Sequence, residues 1–476
     1  MFTDDEKKDL LENAGLLIDE LVTLDPMIYI QPYFHDYIVE QVTQLIGKQL
    51  DQVYYGAFTC GTSVSSTSVS ICDELDTIID KAMGLFYKYI APKRSYTTSF
   101  IRIKPNIEKM NVKINYLKSV PQPAQRTPEW YDFRSKCLTA SNIWKAFISE
   151  STKNQLIYEK CQPINVDKYT HVSTETSMHW GNKYEPVSIL LYERKYKTLI
   201  SDFGCIPHKS IPFLAASPDG INTLETTERF GRMLEVKNIV NREIDGNPKM
   251  EYWVQMQVQM EVCNLNECDF LETRFVEYES LNEFEIDSYN SLSYSRSKDS
   301  KRKGVIIMYF TQEKQPHYEY APIGLSKQEF EKWEEQNLSN NTHMNWVKNI
   351  YWKLDEMSCV LVLRNKLWFA YALPILAELW STIEMEKING CQHRAPNKKS
   401  RVSKSTDLGS VVRKCYINIE EMMKEDDNDN DNDNDTMAEN ISENVKLNET
   451  TIKTISISTQ TLYHYFKPLH VKCDKV

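Results

Sequence analysis

No Cys-x-x-Cys pair occurs in this chain, although it holds eleven cysteines. An odd count without that spacing argues against a disulfide framework and against a zinc ribbon, and points to reduced thiols in a reducing compartment; the closest pair, Cys263 and Cys268, reads as ordinary buried thiols. The N-terminus, "MFTDDEKKDLLENAGLLIDELV", lacks a basic region before an apolar block, so no secretory signal is expected there. An uninterrupted apolar run is also missing. The longest candidate, "CVLVLRNKLWFAYALPILAELW", is broken by Arg364, Asn365, Lys366 and Pro374, so no membrane span is expected. No internal repeat is visible.

Net positive charge is lacking as well: the formal charge is −11 over 476 residues. Most of that is local, because "EDDNDNDNDNDTMAE" (425–439) holds eight acids and no base, leaving −3 for the rest. Such a run cannot bury surface and reads as a solvated, disordered linker. Two basic clusters stand against it, "SRSKDSKRKG" (295–304) and "HRAPNKKSRVSK" (393–404). Each reads as a solvated loop, with phosphate contact or a targeting signal as the alternative.

What is present supports a sizeable core, since 41% of residues are apolar. Residues 1–120 mix amphipathic helix with a Ser/Thr-rich piece, carry no recognisable chemistry, and run into the linker "VPQPAQRTPEW". Residues 121–390 alternate a helical stretch at 182–196 with strand-like ones at 232–240, 268–277 and 304–310, which reads as α/β or α+β. Residues 391–455 form a basic, then acidic, linker, and 456–476 a short terminal motif.

The chemistry concentrates in the middle. "GRMLEVKNIV" (231–240) is an apolar strand interrupted by Glu235 and Lys237, which alternation sends to one face. "LAASPDGI" (214–221) runs into a turn and places Asp219 at a strand end beside it. "HWGNKYEPVSILLYERKY" sets Glu185 in the first turns of a helix. In "EYWVQMQVQME", Tyr252, Gln255 and Gln259 share one helical face, while Trp253, Met256 and Met260 form an apolar stripe. Singly, each has a bland reading: a turn, an edge ion pair, a surface glutamate, a polar helix face.

In this order the pieces resemble the metal site of the PD-(D/E)XK nucleases, whose core is a mixed sheet flanked by helices. The residue types suit phosphodiester cleavage, because Mg²⁺ takes hard oxygen ligands and keeps waters as nucleophiles. Asp219, Glu235 and the backbone carbonyl of Val236 would hold the ion. Lys237 would act on the attacking water, as a base of lowered pKa or as a positive charge. The charges of Glu235 and Lys237 would then leave bulk water together, compensated by metal and phosphate.

The successive stretches "WYDFRSKCLTAS", "WGNKYE", "ASPDG", "LEVK" and "YWVQMQ" resemble, more narrowly, the lambda-exonuclease and YqaJ-type viral recombinase family, in the version encoded by giant nucleocytoplasmic DNA viruses. The resemblance covers about 130–275. It implies a metal-dependent exonuclease that digests one strand of linear duplex DNA from its five-prime end, working with a single-strand annealing protein. Two Mg²⁺ ions per site, replaceable by Mn²⁺, are implied, with Glu185 near the second and Gln255 as the active-site glutamine. Arg134, Ser141 and Ser217 are implied as the pocket for the terminal five-prime phosphate, a guanidinium and two hydroxyls facing a dianion. Trp130 reads as core. The resemblance further implies a viral replication site in host cytoplasm, or the virion, and leaves oligomeric state open. An internally cutting nuclease of the same fold, and a non-catalytic DNA-binding virion protein on this scaffold, remain as alternatives.

Asp219 and Glu235 are sixteen residues apart, so a long loop is expected between them. At the chain's end, "STQTLYHYFKPLH" spaces Leu462, Tyr465 and Phe466 like the clamp-binding peptide of replication proteins, with Thr459 where that peptide usually begins with Gln. Docking back on its own domain is the alternative.

Overall fold

The computed structural model describes residues 2–53, 66–163, 174, 176–290 and 293–395. Residues 396–404 of the basic cluster at 393–404, the acidic run at 425–439 and the terminal motif with Leu462, Tyr465 and Phe466 lie outside the described residues.

The strands are β1 (Leu138–Thr139), β2 (Ile200–Ser201), β3 (Ile206–Pro207), β4 (Leu214–Ala216), β5 (Gly220–Asn222), β6 (Met233–Ile239), β7 (Glu267–Glu277), β8 (Lys303–Phe310), β9 (Pro316–Tyr320) and β10 (Asn345–Leu363). The helices are α1 (Asp4–Leu24), α2 (Phe34–Val53), α3 (Ser66–Tyr89), α4 (Ile107–Ser119), α5 (Pro128–Ser135), α6 (Glu150–Cys161), α7 (Ser177–Tyr196), α8 (Met250–Cys263), α9 (Leu281–Ile286), α10 (Lys327–Asn340) and α11 (Lys366–Asn389). One sheet runs β2-β5-β6-β7-β10-β8-β9, parallel only at β6–β7, and a smaller one runs β1-β4-β3. The α/β expectation is therefore borne out as a mixed sheet flanked by helices. The helix and strands expected at 182–196, 232–240, 268–277 and 304–310 appear as α7, β6, β7 and β8.

Alternation along β6 decides what each face meets. Leu234 and Val236 pack with Tyr192 of α7 and Leu271 of β7. Met233 points the other way, into the core shared with Trp253, Met256 and Met260 of α8. Glu235 and Lys237 follow Met233 in phase, so both face α8.

The N-terminal helices join that same core: Ile18, Ile38, Ile79 and Met83 share it with α8 and with Trp368, Leu376 and Leu379 of α11. Residues 96–99 then lie along the half of β10 that β8 does not pair, where Tyr96 and Ser99 donate backbone N–H groups to the carbonyls of Leu361 and Cys359, each at 2.9 Å. Pro374 sits inside α11 without ending it. Among the described residues no helix is long and apolar enough to cross a membrane.

Candidate active site

Asp219 follows the β4 end and immediately precedes β5, which pairs antiparallel with β6 through Gly220 and Leu234. This puts its carboxylate beside the middle of β6, where Oδ2 accepts the Val236 N–H at 2.7 Å. The expected loop between the two acids is present: it connects β5 to β6, turning at Gly231 with φ +80°, where the amide N–H donates to the Asn222 carbonyl.

Glu235 is fully buried and accepts from Lys237 Nζ at 2.5 Å through Oε1. Its other oxygen, Oε2, accepts from Gln259 Nε2 at 2.8 Å. The same amide nitrogen lies 3.3 Å from the Ser217 carbonyl, while Gln259 Oε1 is buried without a partner. Tyr252 stands at the other end of this face, its ring centroid 5.0 Å from Lys237 Nζ. Gln255 lies between them along the helix, on the face turned to the carboxylates, but among the described residues no hydrogen bond joins it to Glu235. Sequence reasoning assigned Gln255 from the family motif; Gln259 stood on the same face, and only the register of α8 against β6 reveals which glutamine meets the acid.

Glu185, midway along α7, accepts from Arg126 Nη2 at 2.9 Å. Arg126 adopts φ 66°, a left-handed turn in the linker before α5. Its partnership with Glu185 had no sequence signal, since 59 residues separate them.

These charges act on one another. Burial, then Glu235 and Glu185, raise the Asp219 carboxyl well above the ordinary range. Burial raises Glu185 too, with Glu235 adding to the shift and Arg126 opposing it. For Lys237, burial pushes the ammonium down, but Glu235 and Asp219 outweigh it and leave the group above the usual lysine range.

A second cluster adjoins the first through Ser217, two residues before Asp219. Ser217 Oγ accepts from Trp130 Nε1 at 3.1 Å. The Trp130 ring lies 4.1 Å beneath the Arg134 guanidinium, and Arg134 Nη2 donates to Ser141 Oγ at 2.8 Å. Arg134, Ser141 and Ser217, separated in sequence, are thus gathered around one indole. Trp130 does pack on the small cluster of Cys137, Cys205 and Ala215. Its indole N–H and ring face nonetheless hold two of the three other residues, Ser217 and Arg134, a role the sequence reading missed.

Residues 129–266 match the YqaJ-like viral recombinase domain. The resemblance read from the motifs therefore stands, and the matched stretch contains Arg134, Ser141, Glu185, Ser217, Asp219, Glu235, Lys237, Gln255 and Gln259. An uncharacterised protein of Acanthamoeba polyphaga mimivirus is 28% identical over 363 residues, 68% of this chain and 63% of that protein. The chain thus spans less than two thirds of that relative. The crystal structure of an alkaline exonuclease from Laribacter hongkongensis aligns at 17% identity and TM-score 0.32, over 55% of this chain and 95% of that one. The same enzyme in complex with dAMP aligns over the same shares at 16% identity and TM-score 0.31.

Proposed function

We propose that this protein is a divalent-metal-dependent exonuclease that digests linear duplex DNA from the five-prime end. The observation carrying this reading is the shared hinge Ser217-Pro218-Asp219, which joins the Asp219, Glu235 and Lys237 charges to the Trp130, Arg134 and Ser141 pocket. Two residues of chain span at most about 7 Å. Nucleotides advance roughly 3.4 Å each along one strand of the duplex axis. A terminal phosphate held at this pocket would therefore leave a bond close to the end beside Asp219, which suits removal of short units from an end.

The residues fit a hard divalent ion. Glu235 is fully buried and Asp219 half-buried, the two carboxylates repel each other, and a cation between them relieves that repulsion. Among the described residues no three Asp, Glu, His or Cys side chains form a closed cage. Mg²⁺ characteristically uses one or two carboxylates and leaves its other positions to water and phosphate. Asp219, Glu235 and the Val236 carbonyl would hold the first ion, and Glu185 would face a second; Mn²⁺ should substitute. Such an ion supplies Lewis acidity and a water of lowered pKa.

The chain's own groups do the rest. Lys237 donates to Glu235 and would stand as a positive charge beside the scissile phosphate. Gln259 fixes the Glu235 carboxylate, and Gln255 offers an amide on the same face. Arg134, Ser141 and Ser217 bind the end. In this reading the single-stranded product is handed to an annealing protein at a viral replication site.

The test is digestion, with Mg²⁺, of end-labelled linear duplex bearing five-prime phosphate or five-prime hydroxyl, against a covalently closed circle. Loss of label from linear DNA with the circle intact is expected; nicking of the circle at comparable rate would favour an internal cutter.

A further inference from the structure

The structure assigns a second cation to the terminal-phosphate pocket: Lys160, on α6, which we propose contacts the five-prime phosphate together with Arg134. This rests on the exonuclease reading and adds the group that separates a terminal phosphate from an internal one.

Lys160 Nζ donates to the backbone carbonyl of Arg134 at 2.7 Å. An ammonium has three donors, so two remain for a ligand. The other lysines nearby are matched with acids: Lys145 with Glu159 at 3.0 Å and Lys153 with Glu150 at 3.4 Å. Among the described residues Lys160 forms no ion pair. Among the described residues the charged and titratable groups acting on it are Arg134 in the last turn of α5, Lys387 from α11, and the Cys137 and Cys205 thiols. Burial first, then Arg134 and Lys387, hold its ammonium down at about 8. Cys205 in turn is hydrogen-bonded to Ser217 of the pocket. A half-buried ammonium that is bound to the Arg134 backbone and has no ion pair among the described residues is an arrangement that an anion completes.

The chemistry identifies the anion's class. A terminal phosphomonoester carries close to two charges at neutral pH, with a second pKa near 6, whereas an internal diester carries one. A second cation beside Arg134 therefore favours the end over the backbone. The competing account is that Lys160 merely caps the last carbonyls of α5, as a cation at a helix C-terminus does. That account predicts a change in stability without any change in end preference.

Full-length wild type, Lys160→Gln and Lys160→Arg are compared on linear duplex with five-prime phosphate and with five-prime hydroxyl. For Lys160→Gln the ratio of the two rates should fall about tenfold, the size of one lost hydrogen bond to a charged group, and Lys160→Arg should restore most of it. An unchanged ratio, whether or not both rates fall, overturns the proposal. Rates on hydroxyl ends report the exonuclease reading itself, so the two failures are distinguishable. If the variants do not fold, or wild type cuts no DNA, the wild-type protein still decides. Lys160 is labelled with an amine-reactive ester and followed by mass spectrometry, with a five-prime phosphorylated oligonucleotide or its hydroxyl counterpart present. Protection by the phosphorylated strand alone is expected; equal or absent protection overturns the assignment.

Discussion

Gln259 Nε2 lies 2.8 Å from Glu235 Oε2 and 3.3 Å from the Ser217 carbonyl, so one buried amide spans β6 and the Ser217-Pro218-Asp219 hinge. Gln259→Ala leaves Glu235 Oε2 desolvated and unpaired, which costs roughly 1–3 kcal/mol. A lower melting temperature and slower turnover are expected together. Gln255→Ala, which removes no hydrogen bond to Glu235, should slow turnover without that loss of thermal stability. Identical melting temperatures for Gln259→Ala and wild type would refute the bridging role.

Replacing Asp219, Glu235 or Lys237 by Ala should each reduce the rate at least about 10²-fold, the scale of a lost charge-stabilising or proton-transfer group. Ca²⁺ should bind without supporting turnover. Single-turnover digestion of linear duplex measures this, and near-normal activity in any one variant would end the assignment of that residue.

Trp130 connects Arg134 to Ser217, and the two contacts can be separated. Trp130→Phe keeps a ring beneath the guanidinium but loses the Ser217 hydrogen bond, worth about 1 kcal/mol. Trp130→Ala loses both. Preference for phosphorylated over hydroxyl ends should therefore fall in the order wild type, Trp130→Phe, Trp130→Ala, with Arg134→Ala at least as low as the last. An order in which Trp130→Ala retains full preference would make the indole mere packing.

Strands β6, β7 and β8 and helix α7 were legible because each buries apolar side chains at a period that adjacent residues reveal. The Glu235 and Lys237 pair was legible for the same reason, since alternation alone puts both on the Met233 face. Other features depend on tertiary register. Gln255 and Gln259 share a helical face, and only the packing of α8 on β6 selects Gln259 as the contact of Glu235. Arg126 reaches Glu185 across 59 residues. The first half of β10, "NWVKNIYWKL", mixes charged and aromatic residues because its faces are only half-buried there, so its pattern is weak although its pairing with β8 is continuous except near Trp346.

Lys303 is fully buried, donating to Ser288 Oγ at 2.9 Å and to the Phe284 carbonyl, with its ammonium 3.8 Å from the Phe284 ring centroid. Burial lowers it from the ordinary 10.5 to about 8. Between those values the unfolded chain binds a proton that the folded protein does not, so this group's contribution to stability rises with pH there. Below about 8 both states carry the charge and the burial cost is complete. Lys303→Met, which leaves the Phe284 carbonyl its bond from Ser288, should gain most over wild type at pH 7 and progressively less towards pH 10.5. A difference in melting temperature that stays constant with pH would contradict this.

Asp269 is the anchor between the N-terminal segment and the seven-stranded sheet. It is fully buried on β7, opposite Leu234 of β6 and so one residue from Glu235 in the ladder. Ser99 Oγ donates to its Oδ1 and Tyr192 Oη to its Oδ2, each at 2.6 Å, and the Arg229 and Arg232 guanidiniums complete its shell. Arg229 Nη1 also donates to Ser99 Oγ at 2.6 Å, so the acid, the loop between β5 and β6, and the segment along β10 form one network. Removing one partner of a buried ion pair typically costs about 3–5 kcal/mol, because the remaining charges stay buried without compensation. Asp269→Ala should therefore lower the melting temperature strongly and expose residues 95–104 to protease. Ser99→Ala, which removes a neutral donor and leaves the ion pairs intact, should cost far less, about 1 kcal/mol. Equal destabilisation by the two substitutions would show that the hydroxyl, and not the buried charge, holds this segment against the sheet.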